Sequence, residues 1–76
     1  MEIAVINWVD STGSNGNVWV SKADVDFETI DCVSCGIIIN ETKEVLTISL
    51  SESSIQYGAV LNIPKKCIVK LKRIKC

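Results

Sequence analysis

Trp8 and Trp19 flank the polar run Asp10–Asn17, DSTGSNGN, and residues 64–76 carry Lys65, Lys66, Lys70, Lys72, Arg73 and Lys75 without one acid. Together these residue types suit the holding of a small anionic nucleotide. An indole stacks on a nucleobase. Asp10 and Ser11, with Thr12, Ser14 and Asn15, are the types that bond to ribose or base edges, and Gly13 and Gly16 let backbone amides approach a phosphate. Lys65, Lys66, Lys70, Lys72 and Arg73 supply the countercharge. The loop has neither the spacing of a Walker loop nor that of a dinucleotide fingerprint. The same residues have a plainer reading, in which both tryptophans fill a small core and the cations neutralise acidic neighbours in the chain or across a subunit boundary.

The formal net charge of −1 conceals how lopsided the chain is. Residues 1–63 hold all nine acids and two lysines, Lys22 and Lys43, whereas residues 64–76 hold six cations. Catalytic parts are scarce by comparison. There is no histidine, which removes Ser-His and Cys-His nucleophile pairs together with the commonest metal ligand. Asp24, Asp26, Glu28 and Asp31 lie in a polar stretch and read as a solvated acidic loop, with no sign of the burial that would raise a carboxyl pKa. Cys32-Val33-Ser34-Cys35 has the C-x-x-C form, but in an extended strand its two cysteines point to opposite faces with Cα atoms roughly 10 Å apart, beyond the ~7 Å that a disulfide spans. Cys67 and Cys76 are too far apart in sequence to make the second close pair of a zinc site. The four cysteines therefore read as free, small apolar fillers in a reducing compartment, and no metal, cofactor or enzymatic activity is expected.

Whatever holds these groups is built of strands. Ile and Val total 20 residues against 4 Leu and 3 Ala, and branched Cβ atoms suit a pleated surface better than a helix. Strands are expected over Glu2–Val9, Glu28–Asn40, Glu44–Ser51, Ala59–Ile63 and Ile68–Ile74, with a further extended stretch at Val18–Val20. Leu46, Ile48 and Leu50 should form the core face of the third strand, and Val69 with Leu71 should lie opposite Lys70 and Lys72 in the last. Turns are expected at Asn40–Lys43 and Glu52–Gly58, one short helical turn at Ser21–Asp24, and a 3₁₀-like turn at Lys65-Lys66-Cys67 after Pro64. Gly36, inside the second strand, predicts a bulge or sharp bend. The result is an all-β fold, a small five-stranded, strongly bent antiparallel barrel, with residues 1–76 as a single domain. The longest apolar run, Ile37–Ile39, is far short of the roughly 20 residues of a membrane span, and no secretory signal pattern opens the chain. A cytoplasmic protein with no membrane contact is expected.

Two resemblances extend this reading. Gly36-Ile37-Ile38-Ile39, then Glu44-Val45-Leu46-Thr47-Ile48-Ser49-Leu50, then Val60 to Val69 through Pro64-Lys65-Lys66-Cys67, have the order of parts of the Sm and Hfq small barrels. That resemblance covers about half the chain and implies an RNA-binding alternative. The sequence departs from the family's arginine-glycine and lysine-histidine loop signatures, with Lys65-Lys66-Cys67 standing at the second. Over the whole length, Trp8-Val9-Asp10-Ser11, Trp19, Cys32-Val33-Ser34-Cys35-Gly36 and Ile63-Pro64-Lys65-Lys66-Cys67-Ile68 resemble a group of small bacteriophage proteins with a W-x-D-S start and an I-P-K-x-C-I ending. This second resemblance implies a phage accessory protein in the host bacterial cytoplasm, of the kind that sequesters nucleotide immune signals.

The expectation is thus a non-enzymatic homo-oligomer that captures a small anionic nucleotide with Trp8, Asp10, Ser11, Trp19, Lys65, Lys66, Lys70, Lys72 and Arg73. An Sm-like RNA binder and an inhibitor that docks on a host protein, through the acidic stretch Asp24–Asp31 or an open strand edge, are the alternatives.

Overall fold

Runs of β-branched residues punctuated by Ser, Thr, Asn and Pro set the order of elements in the computed structural model, which describes residues 1–11, 21–24 and 29–76. Five strands form: β1 (Glu2–Ser11), β2 (Thr29–Glu41), β3 (Val45–Glu52), β4 (Tyr57–Pro64) and β5 (Ile68–Lys75). Two 3₁₀ turns, Lys22–Asp24 and Lys65–Cys67, fall where the sequence places helical turns. Of the expected loop Asp10–Asn17, Asp10 and Ser11 instead extend β1 beyond Val9, and Thr12–Asn17, the stretch Val18–Val20 with Trp19, and Asp26 and Glu28 lie outside the described residues.

All pairings are antiparallel, in one sheet of order β4-β3-β2-β1-β5. The all-β, five-stranded antiparallel class is as expected. The sheet is open, however, with β4 and β5 at its two edges although a three-residue turn joins them in sequence. Among the described residues no helix is long and apolar enough to cross a membrane.

β2 is where the sheet changes partners. Its residues 29–37 pair with β1, and from Ile37 onward it pairs with β3. Gly36 sits at that handover, buried, where a Cβ would lie 2.7 Å from the carbonyl oxygen of Ser49. Hydrogen in place of a side chain is what lets β3 approach so closely. The register irregularity falls three residues later, between Ile38 and Asn40, so the expected bulge is displaced from the glycine. The next turn is held by Thr42, whose hydroxyl accepts the N–H groups of Glu44 (3.3 Å) and Val45 (3.0 Å), the local bonding that favours Thr at such corners.

The core consists of Ala4, Ile6, Leu46, Ile48 and Ile63, with Trp8, Ile38, Ile68 and Leu71 packed against it. Leu46 and Ile48 take their expected places, but Leu50 is 73% exposed. The β2–β3 ladder stops at Ser49, which leaves Leu50 without a ladder partner on β2. Conversely, Thr47 and Ser49 are buried on the supposedly solvated face. Both hydroxyls are satisfied, Thr47 donating to Asn62 Oδ1 at 2.7 Å and Ser49 to the Ser51 carbonyl at 3.0 Å, as buried hydroxyls require. In β5, Val69 is the extra residue of a bulge, since Asn7 pairs with Lys70 and Trp8 with Ile68. It leaves the core, 72% exposed, and Ile68 takes the place beside Trp8.

Candidate functional site

The bulge in β5, the turn Lys65–Cys67 and the far end of β1 enclose an open cleft of about 440 Å³ whose lining includes Trp8, Asp10, Pro64, Lys66, Cys67 and Ile68. Trp8 belongs to core and cleft at once. One part of its ring packs on the core, and its indole N–H donates to Ser34 Oγ on β2 at 2.9 Å. That bond fixes the ring while leaving part of it exposed in the cleft. Pro64 ends β4 and forces the chain into the 3₁₀ turn, and the turn sets Lys66, exposed, on the cleft wall. Among the described residues no carboxylate pairs with Lys66.

The remaining cations are elsewhere. Arg73 lies opposite Ala4 and therefore on the core side of β5. It makes a two-pronged contact with Glu41, Nη1 to Oε1 at 2.9 Å and Nη2 to Oε2 at 2.7 Å, and reaches Glu2 Oε1 at 3.2 Å. Lys65 Nζ donates to the same Glu41 at 2.7 Å. Hydrogen bonds from Arg73, and then from Lys65, hold the Glu41 carboxyl down to about 2, and those from Glu41 and Glu2 raise Arg73 further. For Lys65 and Arg73 the neutralising reading of the basic segment is the correct one.

Lys70 and Lys72 form a third location. They pair with Asn7 and Val5, which alternate with the buried Ala4 and Ile6 and so point away from the core. Both lysines are exposed, and among the described residues no carboxylate pairs with them. Ser11 is the last residue of β1, opposite Thr29, and Trp19 lies outside the described residues. The nine expected site residues are thus not one cluster: the structure brings Trp8, Asp10 and Lys66 together, ties Lys65 and Arg73 into an ionic network, and sets Lys70 and Lys72 on the opposite face.

All four cysteines are free. Cys32 pairs with Trp8 and Cys35 with Val5, which places them on opposite faces as the strand geometry demands. Cys32 and Cys67 are half-buried and serve as fillers, but Cys35 and Cys76 are exposed, which corrects the expectation for those two. Among the described residues no group of three or more His, Cys, Asp or Glu side chains is placed to hold a metal ion.

Sequence reasoning missed Pro64, Cys67 and Ile68 as walls of the cleft, although the I-P-K-x-C-I segment that contains them stood out. It also missed Glu2 and Glu41, which are 71 and 32 residues from Arg73 and carry no local signal. Comparison with protein-family models, curated proteins and solved structures finds no match to the chain.

Proposed function

We propose that this chain is a non-enzymatic binding protein that captures a small anionic nucleotide in the Trp8–Lys66 cleft. The observation that carries the proposal is that an oriented, partly exposed indole and a cation without a carboxylate partner among the described residues share one open wall. Stacking on Trp8 would hold a base and Lys66 a phosphate, with Asp10 on the cleft rim for a ribose or base edge. The W-x-D-S and I-P-K-x-C-I segments, whose Trp8, Asp10, Pro64, Lys66, Cys67 and Ile68 line this cleft, support reading the chain as a phage accessory protein that sequesters a nucleotide signal in the host cytoplasm. Element order supports an Sm-like architecture, here as an open sheet, and its two edge strands, β4 and β5, favour assembly as a symmetric oligomer.

Calorimetric titration with mono- and cyclic dinucleotides tests this. Lys66→Glu should weaken uptake about tenfold or more, the worth of a hydrogen bond to a charged group, and Trp8→Phe should weaken it while keeping the core filled. Lys65→Glu should affect the fold more than uptake, because Lys65 already serves Glu41. Ligand released by heat should return chemically intact. Equal uptake by wild type and Lys66→Glu, or a hydrolysed product, would defeat the proposal.

A further inference from the structure

We infer that the outward face of β2, β1 and β5 is an interface with a second copy of this chain, packed face to face about a two-fold axis along β1. This names the contact surface of the oligomer proposed above and rests on that part of the reading; of the residues named for it below, Val9 alone also lines the cleft.

The face follows from register. Ile3, Val5, Asn7 and Val9 alternate with the core residues of β1, and directly paired residues share their side of the sheet. Three rows therefore cross the strands: Ile74–Ile3–Ile37, Lys72–Val5–Cys35 and Lys70–Asn7–Val33, followed by the Val9–Asp31 pair. The centre is apolar, the β5 margin basic and the β2 margin ends in an acid. Val33 is 73% exposed and Ile74 42%, and Asp31, Cys35, Lys70 and Lys72 are exposed too, so among the described residues the margins of these rows lie open, with Ile3, Val5, Val9 and Ile37 half-buried between them. A two-fold axis along β1 lays the β5 of one copy over the β2 of the other. Lys70 then lies over the margin that carries Asp31, one row away and within reach of a lysine stem that lies along apolar surface, with Lys72 one row further on. The pattern is self-complementary, as a two-fold contact requires.

The test is oligomeric mass by light scattering at about 100 µM, a concentration at which a micromolar contact is saturated. Val33→Glu, at a site too exposed to unfold the monomer, should halve the particle mass while far-UV circular dichroism is retained. Asp31→Lys alone and Lys70→Glu/Lys72→Glu alone should each weaken the assembly. An equimolar mixture of the two should restore it, since each then offers the charge the other lacks. A wild-type mass of 8.3 kDa, or a larger mass that Val33→Glu leaves unchanged, overturns the inference. So does an 8.3 kDa wild type that binds oligonucleotide through Lys70 and Lys72, which would assign the face to RNA. Nucleotide uptake measured on Val33→Glu separates the two proposals, because a monomer that still binds leaves the cleft standing and a dimer that does not bind removes only the cleft.

Discussion

Glu41 accepts from two cations at once, and at the scale of single residues it is the most informative side chain of the molecule. Its carboxyl is held at about 2, against an ordinary 4.5, by Arg73 first and Lys65 second. A depressed folded-state value means that the carboxylate's contribution to stability is complete above about pH 4.5 and fades as pH falls toward about 2. Thermal melts of wild type and Glu41→Gln should therefore differ most above pH 5 and converge between pH 4.5 and 2. A gap that stays constant over that window would mean that the network contributes nothing to folding. The cations were legible in the sequence as a block of charge. Their division among three places was not, because the 3₁₀ turn at Lys65–Cys67 and the bulge at Val69 each reset the period-two alternation that would have assigned faces.

Strands and turns were far more readable than the contacts between them. Alternation in Glu44–Ser51 and the Pro64 stop gave β3, β4 and the following turn to within a residue or two, because these signals are local. Which strand ends lose their neighbour is a tertiary matter, and so Leu50 came out exposed and Ser49 buried. Gly36 is an intermediate case: its presence signalled an unusual backbone, and the structure shows the need to be space beneath the Ser49 carbonyl. Gly36→Ala should push β3 away and cost about 1–3 kcal/mol, the usual penalty for overpacking, read as a lower midpoint in urea. A midpoint equal to wild type would show that β3 can retreat freely.

Across the whole molecule, stability is spread thin. Among the described residues five apolar side chains are fully or nearly buried. A total stability of about 4–11 kcal/mol is the expectation at this length, so any additional fastening matters. The ionic network is such a fastening, and it joins residues near position 2, at 41 and beyond 64. It cannot exist until both ends of the chain have reached the middle, and that has a kinetic consequence. Side chains that meet only once strands far apart in sequence are in place are expected to pair late, after the rate-limiting step. Arg73→Ala should accordingly accelerate unfolding severalfold in stopped-flow experiments and leave the refolding limb nearly unmoved. If refolding slows instead, the first and last strands meet early. On this geometry the guanidinium is placed as a latch, whose expected effect is on how long the folded molecule survives rather than on how quickly it is born.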